Sequence, residues 1–252
     1  MDNPNNELFT ITFSESVENH VGMQQIGEKL DKGFSLEELY KIRDKFSNLN
    51  CELFILNQYS GVKDNIDNAY VLVIRNGLSV LSDKEGVRKE LYSQKDVVDK
   101  KALMRGKVVN KHARWNLCYA DYDQNPDYEH GKGRVIDFKH IPHISTIRKN
   151  LNNIIDYKNL YAELNFYYDI TKCGIGFHGD SERKLVIGVR VGASLDLHYQ
   201  WYKNYEQVGD RCKITLNDGD VYFMSDKAVG YDWKRPSIYT LRHATGCKKY
   251  IE

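Results

Sequence analysis

With 252 residues, 41% of them hydrophobic and 28% charged, the chain is long enough to bury a large core and too evenly mixed to stay disordered. A formal charge of +1 excludes a global electrostatic pull toward nucleic acid or membrane, so any such binding must come from a local patch. No apolar run has the length of a membrane span, and the five cysteines (Cys51, Cys118, Cys173, Cys212 and Cys247) form no Cys-x-x-Cys pair. That pattern points to reduced thiols in a soluble intracellular protein, cytoplasmic or nuclear, and away from a disulfide framework or zinc site.

The first residues lack the basic and apolar regions of a signal peptide. Leu8 to Phe13 alternates apolar residues with threonine and predicts a strand. Val17 to Met23 reads as a polar connection. Ser35-Leu36-Glu37-Glu38 is a capping box that opens a helix with the stripe Leu36, Leu39, Tyr40 and Phe46. Cys51–Leu56 and Ala69–Ile74 predict strands. Asn76-Gly77 predicts a tight hairpin from Ala69–Ile74 into Leu78–Leu81, and a charged helix is expected from Lys84 to Tyr92. Residues 1–105 therefore read as an N-terminal α/β extension without visible chemistry, and 106–252 as the domain that carries it.

A basic run follows: Lys100, Lys101, Arg105, Lys107, Lys111, His112 and Arg114. Beside Trp115 and Tyr119 it is either a phosphate-contacting lid or a solvated surface. Trp115–Tyr119 and Arg134–Phe138 predict strands, and Asp121 to Lys132 a glycine-bearing loop. Pro142 opens a helix with the stripe Ile144, Ile147, Leu151, Ile154 and Ile155. Beyond it the pattern is almost wholly β: 161–168, 174–178, 184–191, 195–201, 212–216, 221–224 and 237–243. That many short strands, with helices outside, predict an α+β protein built on a sandwich or barrel.

His178 and Asp180 stand two apart at the end of an apolar run. In extended chain such residues project to one face. With one more histidine from a distant strand they make a 2-His-1-carboxylate facial triad, which leaves positions on Fe(II) open. Asn165 and Tyr167 likewise share a face of their strand, and each offers a donor to a carboxylate.

Leu164-Asn165-Phe166-Tyr167-Tyr168-Asp169, a spacer, then Ile175-Gly176-Phe177-His178-Gly179-Asp180-Ser181-Glu182-Arg183 resembles the core signature of AlkB-type Fe(II)/2-oxoglutarate dioxygenases. Ile187–Gly192, Asp218–Ser225 and Asp232-Trp233 extend the resemblance in order, from about Lys111 onward. It implies a double-stranded β-helix (jelly-roll) core and oxidation of alkyl groups, most often on nucleobases. It also implies Fe(II), 2-oxoglutarate and dioxygen as cofactor and cosubstrates, with His178 and Asp180 on iron and Asn165 and Tyr167 on 2-oxoglutarate.

The sequence departs from that pattern after Trp233, where Lys234-Arg235-Pro236 replaces the distal histidine. His243 and His198 remain as candidates. His243 is preferred because the intervening strands separate it from the metal motif as a far wall requires. Strand alternation then turns Arg242 away from the site. Arg190, interrupting an apolar strand, is expected to take over the pairing with the far carboxylate of 2-oxoglutarate; Arg242 stays second, and an ion pair of Arg190 with Asp196 or Asp220 is the plain alternative. His198, Trp201, Trp233 and Arg183 are candidate substrate contacts. The expected substrate is a nucleobase in single-stranded or flipped nucleic acid, read by an aromatic pocket of Tyr199, Trp201 and Trp233. A protein or small-molecule hydroxylase and a non-catalytic module with a degenerate metal site are the alternatives.

Overall fold

The computed structural model describes residues 6–62 and 66–252. Strand β1 (Leu8–Ser14) leads into a small hairpin, β2 (Ser16–Glu18) and β3 (Gln25–Gly27). Helix α1 (Leu36–Lys45), strands β4 (Cys51–Ile55) and β5 (Tyr70–Ile74), and helices α2 (Leu78–Leu81) and α3 (Lys84–Ser93) follow. β6 (Lys101–Met104) and β7 (Lys107–Asn110) form a separate ribbon, and then come β8 (Trp115–Ala120), β9 (Val135–Asp137) and α4 (Pro142–Ile155). The remainder is β10 (Tyr161–Tyr167), β11 (Gly174–His178), β12 (Val186–Gly192), β13 (Leu195–Lys203), β14 (Glu206–Leu216) and β15 (Val221–Met224). Helix α5 (Asp226–Val229), β16 (Thr240–Gly246) and α6 (Lys248–Ile251) complete it. The protein is mixed α+β and mostly sheet.

Two sheets carry the architecture. The larger has eight strands in the order β4-β5-β15-β12-β1-β10-β8-β9, and the smaller has four, β11-β16-β13-β14. Their ladders are antiparallel except β8–β9. From β10 onward the chain passes back and forth between the sheets: β10, β12 and β15 lie in the larger, β11, β13, β14 and β16 in the smaller.

Side-chain alternation makes the two faces of the larger sheet chemically different. Phe9, Ile11 and Phe13 of β1 join Leu164, Phe166, Ile187 and Val189 in an apolar layer that α1, α3 and α4 cover. Phe9 stacks on Phe166 with ring centroids 4.3 Å apart. The other face carries Thr10, Thr12, Glu163, Asn165, Tyr167 and Arg190, and it looks toward the smaller sheet. Helix α1 opens with the expected capping box: Ser35 Oγ accepts from Glu38 N–H, and Glu38 accepts from Ser35 N–H. Such a cap stabilises a helix by about 1 kcal/mol. Just past β1, buried Glu15 accepts from the N–H groups of Leu30, Lys184 and Leu185 and from Ser14 Oγ, so its carboxylate is well satisfied.

Two expectations need correction. Asn76-Gly77 does not make a hairpin. Only Asn76 takes a positive φ (55°), whereas Gly77 is right-handed at −60°, and a type I′ turn needs both positive. Leu78 N–H bonds Gly219 O, and helix α2 seats Leu78 and Leu81, three apart, in the core. Residue 105 also fails to divide the sheets, because β1, β4 and β5 sit in the same sheet as β8 to β15. β1 lies near its middle, paired with β10 on one side and β12 on the other. Among the described residues, no helix is long and apolar enough to cross a membrane.

Candidate metal centre

β11 ends on His178, and the chain turns through Gly179 to Asp180. Asp180 N–H donates to Val229 O at 3.0 Å. A Cβ on Gly179 would lie 2.0 Å from Gly230 O, so the close approach of these loops requires glycine. His178 and His243 are cross-strand partners in the β11–β16 ladder, with ring centroids 4.4 Å apart. Asp180 Oδ1 lies 3.5 Å from His178 Nε2 and 3.8 Å from His243 Nε2. One ion with bonds of about 2.0–2.2 Å can bridge donors so spaced.

The surroundings favour the ligand form of each imidazole. His178 Nδ1 lies 2.8 Å from Gly176 O, so Nδ1–H donates there and the Nε2 lone pair faces Asp180. Burial lowers the pKa of His178, and burial with neighbouring His178 and Arg183 lowers that of His243 further. Neutral histidines are what a metal binds. Arg183 holds the carboxylate side: Nε lies 3.6 Å from Asp180 Oδ2, while Nη2 bonds Glu163 at 2.8 Å and Glu182 at 2.7 Å.

The triad faces a cavity of about 110 Å³ between the two sheets. That is well below the roughly 300–1,000 Å³ of a drug-sized site, so only small groups enter it. Its floor is one row of side chains across three strands. Thr10 is the cross-strand partner of Asn165 on β10 and of Arg190 on β12. Arg190 is 1% exposed, yet its Nε and Nη1 have no acceptor, and Thr10 Oγ1 is also unpartnered. Asn165 uses its Oδ1 to accept from Arg114 Nε and Asn116 Nδ2, which leaves its N–H donors to offer. Buried Tyr167 adds a hydroxyl whose pKa burial raises, so it stays a donor. Tyr222, whose ring packs over Gly188, lines the same space; a Cβ on Gly188 would fall within 2.3 Å of that ring.

His178, Asp180, His243, Asn165, Tyr167, Arg190 and Arg183 thus converge on one cavity. Other residues expected at the site lie elsewhere. His198 is the neighbour of Tyr199, and it is Tyr199 that faces His243, so alternation turns His198 to the opposite face beside Lys213. It is not a third ligand here. Trp201 is 1% exposed in the core, with Nε1–H donating to Leu56 O, and cannot touch a substrate. Arg242 points away as alternation requires, 4.0 Å over the ring of Tyr202, and does not reach the cavity. Trp233 stays outside it but holds the segment after Asp180, donating from Nε1 to Ser181 Oγ at 3.0 Å. Arg190 makes no ion pair with Asp220, which Arg75 engages at 2.7 Å, nor with Asp196. The basic run splits: Lys101 to Lys107 lie on the β6–β7 ribbon, but Lys111 bonds Asn19 and Asn116, and Arg114 turns inward to Asn165.

Thr10, Glu18, Arg114 and Glu163 are cavity residues that sequence reasoning missed. Thr10 and Thr12 carried a signal, as polar residues alternating in an apolar strand. Read as part of a separate extension, that strand gives the signal nothing to point to.

No family model matches this chain. Over 250 residues it is 48% identical to an uncharacterized protein of Acanthamoeba polyphaga mimivirus, and the alignment covers 98% of each chain. A match of that depth along essentially the whole length makes the two proteins relatives, and the chain belongs to the family of that mimivirus protein.

Proposed function

We propose that the protein is a non-haem Fe(II)- and 2-oxoglutarate-dependent dioxygenase whose iron would be held by His178, Asp180 and His243. The observation that carries this reading is Arg190. A buried guanidinium with unmet N–H groups is costly, and it stands in a row of further donors beside two neutral histidines and a carboxylate. A small dicarboxylate bridging metal and guanidinium would satisfy both. Fe(II) with 2-oxoglutarate and dioxygen, when bound, supplies the oxidation of a C–H bond coupled to cosubstrate decarboxylation.

The chain's own residues bind and orient. Arg190, with Thr10 and Tyr167, would hold the far carboxylate of 2-oxoglutarate, and Asn165 would donate to it from the same row. Arg183 positions Asp180 through its 3.6 Å contact, and Gly176 O keeps the His178 Nε2 lone pair directed at the metal. Leu197, Val186 and Met224 wall the cavity and exclude water. The finer fold in this reading is a jelly roll. Strands β10 to β16 would supply all but one of its places, and the gap in the larger sheet between β10 and β12 is filled by β1. That arrangement explains why no arginine on the last sequence strand reaches the site. β1 occupies the position in question, and its cross-strand neighbour Arg190 provides the guanidinium.

The test is Fe(II) or Mn(II) affinity together with succinate formation from 2-oxoglutarate. His243→Ala is expected to lose more metal affinity than the roughly 10–100-fold typical of supporting residues. His198→Ala should bind as wild type does. Equal metal binding by wild type and His243→Ala, or no succinate with any substrate tried, sinks the reading.

A further inference from the structure

The outer end of the cavity is closed by the turn between β2 and β3. Glu18, His20 and Val21 line it there, and Val21 is 74% exposed with no apolar cover. Of the carboxylates in the cavity, Asp180 belongs to the metal triad, and Glu163 and Glu182 share Arg183. Glu18 alone has no cation within 4.0 Å among the described residues. It is half-buried, and burial with the charges of Glu182 and Glu163 raises its pKa to about 7. Arg183, 4% exposed, contributes the second feature: it lines this space, and its buried Nη1 has no acceptor.

We propose that Glu18 receives a positively charged side chain of a peptide substrate, an ammonium or guanidinium group, and so selects what reaches the metal centre. The proposal rests on the dioxygenase reading for the chemistry that follows binding, but not for the binding itself. A half-buried carboxylate without an ion-pair partner, beside two further carboxylates, is stabilised most by a cation. With 2-oxoglutarate on the Arg190 row, the outer end beside Glu18 and Val21 is left for one slender side chain, and the bulk of its owner stays outside. A long aliphatic stem ending in a charge fits that shape, with Val21 against the stem. A peptide also brings a carbonyl for Arg183 Nη1. A phosphodiester would instead meet the unpaired carboxylate of Glu18, which disfavours a nucleic-acid strand there.

The experiment measures binding to the full chain with Mn(II) and 2-oxoglutarate at pH 8, where Glu18 is ionised. Probes are the methylamides of N-acetylated arginine and lysine, with the citrulline and norleucine derivatives as uncharged counterparts. A short single-stranded oligonucleotide bearing one cationic methylated base is the comparison. Wild type is expected to prefer a charged probe to its neutral counterpart by roughly tenfold or more. Glu18→Gln should erase that preference and Glu18→Asp, which keeps the charge, should retain it. The arginine and lysine arms then tell guanidinium from ammonium. The proposal is overturned if charged and neutral probes bind alike, if Glu18→Gln keeps the preference, if the oligonucleotide binds more tightly than both peptides, or if no peptide probe binds at millimolar concentration. Succinate formation, measured separately, bears on the dioxygenase reading alone.

Discussion

Arg190 concentrates the energetics of the site in one side chain. Leaving a buried donor unmet costs about 1–3 kcal/mol, more for a charged group, so the ligand-free protein carries a local instability that a carboxylate relieves. Methionine has a similar reach without the charge, and replacing a buried charge by a well-packed apolar group is often neutral or stabilising. Arg190→Met is therefore expected to raise the melting temperature of the protein without metal or cosubstrate. On the proposed function, 2-oxoglutarate should raise the melting temperature of wild type further, and the same change should remove that rise, as affinity falls about 10–100-fold with loss of a charged hydrogen bond. A destabilised variant that still responds to 2-oxoglutarate would assign the guanidinium to structure instead. Thr10→Val tests the neighbouring place in the row. It should cost 2-oxoglutarate roughly 2–10-fold in affinity and leave stability unchanged or slightly raised, because an unpartnered buried hydroxyl is lost.

Individual elements were legible where their signal is local. The capping box of α1, the stripe of α4 and the strands from β10 onward follow from spacing within a few residues, as do the pairs His178/Asp180 and Asn165/Tyr167. Alternation along β16 also separated His243 from Arg242. What could not be read is which strand lies beside which. β1 shows its polar face in Thr10 and Thr12, but its partners are residues 161–167 and 187–192, and no local pattern encodes pairing over such distance. Asn76-Gly77 failed for a related reason. Its turn chemistry was sound, but the burial of Leu78 and Leu81 drew the following residues into a helix. The β2–β3 hairpin, unseen in sequence, carries its own prediction. Between pH 4.5, the ordinary value for glutamate, and about 7, folded Glu18 keeps a proton that the unfolded chain has released. Stability from this group is thus present at low pH and falls as pH rises across that window. Glu18→Gln should match wild type near the acid end and become progressively more stable than it toward neutrality, in denaturant titrations of the metal-free protein. Parallel stability curves across the window would rule this out.

At the scale of the whole molecule, the site depends on joining the start of the described chain to its later half. Leu8, Phe9, Ile11 and Phe13 are fully buried. At about 1.5–3 kcal/mol each, their burial amounts to roughly 6–12 kcal/mol, comparable to the entire net stability of an ordinary domain. Removing β1 would also open two unpaired edges in the middle of a sheet. A fragment of residues 106–252 is therefore expected not to fold, despite containing His178, Asp180 and His243 together. Order along the chain matters less than presence in the sheet. Asn6 O accepts from Ile170 N–H, and Cys247 N–H donates to Cys173 O, so both ends meet the same short segment. A circular permutant that runs from Lys32 to Glu252, through a flexible linker, and then from Asn6 to Asp31 keeps every pairing of β1 and places it after β16. It should unfold cooperatively and, if the parent binds Mn(II) as proposed, bind it equally, with circular dichroism and metal titration as the measurements. If the 106–252 fragment folds and binds metal alone, or the permutant folds but loses the metal, then β1 is not the strand that completes the site.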